Sequence, residues 1–232
     1  MAADLAALSR HRLVWLDDAG WRRVLEPQAG APARDEAAHA CLQHWADHDL
    51  PLVVTRQPPA IASRAGTQSL RLGLAAPARW GRRRLFVEAR VAELSRLGTF
   101  ARAIDIEATL PEATRAPWTA LCLRLERIGV DARVYGSHGW QHLTGLAYVN
   151  EGSDIDLLLR VDRARRADAV VRLLGSAPFA APRLDGEIVF ADGSAVAWRE
   201  WQTWSSGRAT QLLVKRIGGP MLERAGSWAL HA

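Results

Sequence analysis

Residues 152–161 read Gly-Ser-Asp-Ile-Asp-Leu-Leu-Leu-Arg-Val, and no other stretch restricts the fold so tightly. The nearly unbroken apolar run predicts a strand over Ile155–Val161. Side chains alternate along a strand, so Asp154 and Asp156 project from one face while Ile155 and Leu157 enter the core. Two carboxylates about 7 Å apart on one face repel each other. A hard divalent cation between them removes that cost, which makes the pair a candidate Mg²⁺ site.

A second element stands upstream. Ala132–Tyr135 predicts a short strand that runs straight into Gly136-Ser137. Glycine lets backbone N–H groups approach an anion closely, and the Ser137 hydroxyl can donate to a phosphate oxygen. Two-metal phosphoryl transfer also wants a third carboxylate near the attacking hydroxyl. Asp185 and Glu187 share one face of a later strand; Glu187 sits deeper in it and is the choice, with Asp185, beside the preceding turn, as the alternative. An isolated Asp-x-Asp is equally compatible with a solvated sheet face. The strand–Gly-Ser element before it and the hairpin carboxylate after it turn the reading toward metal-dependent nucleotidyl transfer.

The flanking segments predict an α+β domain with a mixed sheet. Thr114–Ile128 is amphipathic with Pro117 in its first turn; Asp162 is positioned to cap a helix that runs through Leu174 and ends at Gly175. Leu184–Phe190 and Ser194–Arg199 flank the turn residues Ala191-Asp192-Gly193 as a hairpin, Thr210–Lys215 reads as a last strand, and Pro220–Leu230 as a last helix. The first half predicts a small N-terminal α/β module: a helix over Glu36–Ala46, strands at Leu52–Val54, Leu70–Leu74 and Arg84–Val87, and a loop at Pro58-Pro59. Ala89–Ala103 reads as helical and Ile104–Pro111 as a connector. The expected division is residues 1–88, 89–112 and 113–232.

Composition narrows the function classes. A chain of 232 residues with 49% apolar and 24% charged residues is an ordinary globular protein, with no membrane-length apolar run and no secretory h-region at its start. A cytoplasmic location follows as an expectation, as do two buried, reduced thiols at Cys41 and Cys122. The net charge of +5 is spread over both halves, 15 basic against 12 acidic residues before position 110 and 15 against 13 after it. No basic track for nucleic acid emerges. All but one of the 30 cations are arginine; the sole lysine, Lys215, lies on a late strand of the catalytic half. It is either a compositional accident or a point-charge partner for a phosphate leaving group. Arg199, after Trp198, is a second candidate for phosphate or ribose contact.

Other features carry less. His44 and His48 are one helical turn apart, but no third ligand and no HExxH pattern accompany them or His39. His138 and His142 lie beside the Gly-Ser turn, and polarity of that segment accounts for them. Ser205-Ser206-Gly207 reads as a loop, Trp198, Trp201 and Trp204 as core at helical spacing, and neither a P-loop nor a GxGxxG fingerprint is present.

Gly-Ser, then Asp-Ile-Asp on an apolar strand, then a hairpin carboxylate resembles the polymerase-β-like nucleotidyltransferase superfamily. Within it the chain resembles the malonate decarboxylase-specific phosphoribosyl-dephospho-CoA transferases, the holo-acyl-carrier-protein synthases of that system. The likeness spans nearly the whole chain: residues 10–16 (RHRLVWL), 50–56 (LPLVVTR), 134–141 (VYGSHGWQ), 153–158 (SDIDLL), 185–187 (DGE), 198–200 (WRE) and 213–215 (LVK). The resemblance implies transfer of a phosphoribosyl-dephospho-CoA group from 2′-(5″-triphosphoribosyl)-3′-dephospho-CoA to a serine of the acyl-carrier subunit, with release of pyrophosphate. It implies Asp154, Asp156 and Glu187 as catalytic and metal-holding residues for Mg²⁺ (or Mn²⁺), and Gly136, Ser137, Ser153, Lys215 and Arg199 as substrate-binding residues. The N-terminal module would then supply part of the donor pocket or the carrier-docking surface. Two alternatives stand beside this reading: a nucleotidyltransferase that uses ATP on another acceptor, and a catalytically dead carrier-binding module.

Overall fold

Alternating apolar residues build two sheets, five-stranded in the first part of the chain and six-stranded in the second. A computed structural model of the chain describes residues 9–26, 34–57 and 69–224. The chain divides into two units, residues 1–99 with 217–219 and residues 100–216 with 220–232. Both combine helices with a sheet, so the class is α+β.

The first unit contains β1 (Leu13–Leu16), α1 (Asp18–Leu25), α2 (Glu36–Asp47), β2 (Leu52–Val54), β3 (Ser69–Ala75), β4 (Arg84–Arg90) and β5 (Leu94–Gly98). Its sheet order is β4-β3-β2-β1-β5, and its strand pairings are antiparallel. Both helices start at aspartates that cap them, Asp17 accepting from Gly20 N and Asp35 from Ala38 N, each at 2.8 Å. Trp45 of α2 is fully buried and donates through Nε1 to the Pro51 carbonyl at 3.0 Å.

Ala89–Ala103 is not a helix. Ala, Glu, Leu and Arg favour one locally, but pairing decides the segment: Val87 and Ala89 of β4 stand opposite Leu72 and Leu70, and Leu97 of β5 opposite Val14. A 3₁₀ turn at Val91–Glu93 separates the strands, with Glu93 accepting from Arg90 N at 2.8 Å. A division after residue 88 therefore cuts through β4. The Pro58-Pro59 loop lies outside the described residues.

The second unit opens with a 3₁₀ segment (Ala103–Thr109) where a connector is expected. It continues with α3 (Glu112–Arg127), β6 (Asp131–Tyr135), α4 (Gly136–Thr144), β7 (Ile155–Arg160), α5 (Ala164–Gly175), β8 (Leu184–Val189), β9 (Ala195–Ala197), α6 (Trp198–Ser205), β10 (Gln211–Arg216) and β11 (Gly219–Arg224). The sheet order is β11-β10-β9-β8-β7-β6, and it is mixed: β7 and β8 run parallel, joined through α5, while β6–β7, β8–β9 and β9–β10 are antiparallel. Ile155, Leu157, Leu159 and Ile188 line one face and form the core with Trp118 and Leu125 of α3, Val170 and Leu174 of α5, and Trp198 and Trp201 of α6.

Three local expectations change here. Asp162 does not cap α5; Arg163 holds the cap position, and Asp162 pairs instead with Arg166 at 2.8 Å. The strand expected over Ser194–Arg199 stops at Ala197, because Trp198 and Trp201 are buried at helical spacing in α6, where Trp201 Nε1 donates to Asp168 at 2.9 Å. The helix expected from Pro220 is strand β11 as far as Arg224; its remainder lies outside the described residues. Cys41 and Cys122 are both free and buried, and burial pushes their thiols up to about 11 and about 12.

Candidate active site

The end of β6 and the beginnings of β7 and β8 come together in register: Tyr135 faces Asp156, and Asp156 faces Asp185. Three carboxylates, Asp154, Asp156 and Asp185, thereby gather at one end of the sheet. Gly186 makes the alignment possible. It has φ +132°, and a Cβ at that position would run into the Leu157 backbone, so only glycine lets β8 lie there.

Gly136-Ser137 is the first turn of α4 rather than a loop before it. Tyr135, the N-cap residue, does not cap this helix with its side chain, so among the described residues the leading N–H groups have no capping acceptor. Gly136 has φ +60°, and a Cβ built on it would land on the Asp156 carboxylate. The glycine therefore sits directly against the acidic cluster. Ser137 is half-buried, and its hydroxyl has no hydrogen-bond partner among the described residues. Ser153 is already engaged: its Oγ accepts from Asn150 N at 2.9 Å and closes the turn before Asp154.

Crowding is legible in the electrostatics. Burial first, then the charges of Asp185 and Asp154, push the Asp156 carboxyl up to about 6. Asp154 moves the other way, held below the ordinary carboxylate range by hydrogen bonds from Arg183 and by the positive charges of Arg183 and Arg199. Arg199 lies over the Trp198 ring at 4.3 Å and donates to the Leu184 carbonyl at 3.1 Å, which brings it to the start of β8.

Glu187 and Lys215 form a separate pair on the same sheet face. Register places Ala197 opposite Glu187 and Ala195 opposite Lys215. These two methyl side chains leave the lysine room to reach across β9, and its Nζ meets Glu187 Oε1 at 2.8 Å. Glu187 is 4% exposed. Its carboxylate meets the ammonium, whereas Asp185, among the described residues, accepts only from its neighbour Gly186 N at 2.8 Å and stands 3.8 Å from Arg183.

Sequence reasoning missed two contributors. Arg183 carries no local signal; folding brings it beside Asp154, 29 positions away. His138 is fully buried rather than a polar loop residue, with Nδ1 2.8 Å from Thr109 Oγ1. The Thr109 hydroxyl proton is already given to the Ile106 carbonyl at 2.7 Å, so His138 Nδ1 is the donor. Burial lowers its basicity and keeps the ring neutral. The three helix-α2 histidines form no metal site: His44 and His48 stack at 3.9 Å, and His44 packs on Trp80 at 5.2 Å.

Among the described residues no three His, Cys, Asp or Glu side chains stand in an arrangement ready to hold a metal ion. The donor set nevertheless fits a hard divalent cation in number and chemistry: oxygen ligands only, mutually repelling, with one carboxyl raised by burial and by that repulsion. A hollow of about 500 Å³ lined by Arg172, Gln202 and Ser206 lies between α5 and α6 and includes none of these residues. No helix among the described residues is long and apolar enough to cross a membrane.

The chain is similar to known proteins along almost its whole length. The family model "phosphoribosyl-dephospho-CoA transferase MdcG C-terminal domain" matches residues 97–225, and the corresponding N-terminal domain model matches residues 9–100. A phosphoribosyl-dephospho-CoA transferase of Bradyrhizobium diazoefficiens is 38% identical over 214 residues, covering 90% of this chain and 86% of the relative. One from Xanthomonas campestris pv. campestris is 36% identical over 211 residues, covering 90% and 91%. A Pseudomonas putida relative of the same name is 35% identical over 146 residues, 58% of this chain and 69% of that one. No solved structure matches the chain.

Proposed function

The chain belongs to the phosphoribosyl-dephospho-CoA transferase family, and from that premise we propose that it moves the phosphoribosyl-dephospho-CoA group from 2′-(5″-triphosphoribosyl)-3′-dephospho-CoA onto a serine of the malonate decarboxylase acyl-carrier subunit. In this reaction the serine Oγ attacks the α-phosphorus. An Oγ–P bond forms, the P–O bond to the β-phosphate breaks, and pyrophosphate leaves. The observation that carries the reading is the gathering of Asp154, Asp156 and Asp185 against the uncapped first turn of α4.

The second unit is on this reading a polymerase-β-like nucleotidyltransferase domain. Asp154 and Asp156 would hold Mg²⁺ (or Mn²⁺), with Asp185 as the third carboxylate because Glu187 is taken by Lys215. When bound, the ion supplies Lewis-acid polarisation of the phosphoryl group and neutralises its developing charge. The Gly136 and Ser137 N–H groups and the Ser137 hydroxyl cradle the terminal phosphates. Lys215, oriented by Glu187, and Arg199, flattened on Trp198, offer positive charge to the leaving pyrophosphate and the ribose phosphate. Asp185 accepts the serine proton. Ser153 shapes the turn that delivers Asp154. The N-terminal unit contributes carrier docking or part of the donor pocket, in a cytoplasmic enzyme without nucleic acid as partner.

The test offers purified protein Mg²⁺, the triphosphoribosyl donor and apo carrier, with ATP as the control nucleotide. The expected result is a carrier heavier by the whole dephospho-CoA-derived group, with one pyrophosphate released per carrier. A carrier that gains only an AMP from ATP, or binds without changing mass, overturns the reading.

A further inference from the structure

Arg183 is the cation that closes the acidic cluster. Its Nε stands 3.2 Å from both carboxylate oxygens of Asp154, its Nη2 meets Oδ2, and the same Nη2 is 3.8 Å from Asp185. The residue's backbone is fixed, because its carbonyl accepts from Ile155 N at 2.9 Å at the shared start of β7 and β8. Its side chain is 59% exposed, and the hydrogen bonds and ion pairs that hold its guanidinium are to the carboxylates of Asp154 and Asp185. A pair so exposed adds little to stability, so folding gives little reason for it.

Position gives a better one. The two oxygens that Arg183 engages are those a divalent cation would need, and while the guanidinium sits on them Asp154 is not free to join Asp156 and Asp185. That accounts for three carboxylates lying together without forming a ready-made metal site among the described residues. A guanidinium displaced from a carboxylate keeps its forked donors, which match a phosphate equally well.

Resting on the reading of this cluster as a metal-dependent transfer site, we propose that Arg183 is an exchangeable counterion. It occupies Asp154 until a divalent cation claims the carboxylate, and its released guanidinium then binds a phosphate of the polyphosphate donor. The site thus assembles in order, cation first and donor second.

The test measures Mn²⁺ binding to the full chain by the disappearance of the free-ion electron paramagnetic resonance signal. It then measures inorganic tripolyphosphate binding to the Mn²⁺-loaded chain by calorimetry. Arg183→Gln should bind Mn²⁺ three- to tenfold more tightly than wild type and tripolyphosphate about tenfold more weakly. Arg199→Gln removes the same charge nearby without touching the Asp154 hydrogen bonds, and should change Mn²⁺ affinity less than twofold. Mn²⁺ affinity that is unchanged or weaker in Arg183→Gln overturns the exchange, as does an equal gain in both variants, which would be a field effect alone. Unaltered tripolyphosphate binding overturns the second half. Wild type that binds no Mn²⁺, or binds it as well after Asp154→Asn and Asp156→Asn, removes the metal-site reading itself along with the proposal; binding lost in those two variants but unchanged in Arg183→Gln leaves the reading intact and sinks only the exchange.

Discussion

Glu93 in the first unit and Asp156 in the second are both carboxylates withdrawn from water beside a sheet, and their surroundings treat them oppositely. Burial pushes Glu93 up, but the Arg23 guanidinium on both its oxygens, the Arg90 N–H and the two arginine charges outweigh burial and hold it below the ordinary range. At Asp156 burial and the like charges of Asp185, Asp154 and Glu187 add, and the one opposing charge, Arg183, does not offset them. The first carboxylate strengthens its unit. The second weakens its own when ionised, and the cost is relieved when the carboxyl takes up a proton or meets a positive charge. A satisfied charge marks architecture; a frustrated one marks a place where something binds.

The largest effect should come from removing the frustrated charge. Asp156→Asn is expected to lower carrier modification at least ~10³-fold, as loss of a metal-holding carboxylate does, yet to raise the Tm of the metal-free chain at pH 8. Raising a carboxyl from its ordinary 3.8 to about 6 costs roughly 3 kcal/mol when it is ionised. The sign follows from the direction: the folded chain holds this proton more tightly than the unfolded chain, so the group favours folding below about 3.8 and loses that contribution as pH rises through about 6. A lower Tm in the variant at pH 8 breaks the contrast.

Gly136→Ala tests the same spot by volume. The added Cβ meets the Asp156 carboxylate on a backbone with φ +60°, so transfer should fall about 10²-fold, with circular dichroism still reporting a folded chain. Lys215→Met removes the ammonium from the buried Glu187 and should destabilise by roughly 3–5 kcal/mol in urea titrations. Pairing it with Glu187→Leu should restore the stability without restoring transfer; restored transfer would reduce the pair to architecture. Glu93→Gln should have the smallest consequence, about 1–2 kcal/mol lost at pH 7 with transfer at 20 °C unchanged. Because Glu93 titrates low when folded, its contribution is present above the unfolded carboxylate range and vanishes as pH falls through its folded value, so variant and wild type should converge in acid.

Legibility followed the range of the forces involved. Helix α3, strand β7 and the Ala191-Asp192-Gly193 turn could be read from residues close in sequence, since periodicity and turn chemistry are local. The Ala89–Ala103 segment could not, because its own propensities favour a helix and strands 15 or more residues away overrule them. At the site, Asp154 and Asp156 announced themselves by spacing. Arg183 did not, because a lone arginine after a proline has no pattern, and its meaning comes only from where β8 begins. Lys215, the partner on which the proposed choice of Asp185 over Glu187 rests, lies on a third strand.

Lys215 has a practical consequence. With 29 arginines and one lysine, the chain presents a single side-chain primary amine, and that amine lies on the face of the acidic cluster. Amine-selective acylating reagents, which ignore guanidinium groups, have one internal address in this protein besides the α-amino group. The mass added at Lys215 then becomes a direct gauge of whether anything is sitting there, and coupling the protein to a surface through its amines places the linkage on the very sheet face one wishes to study.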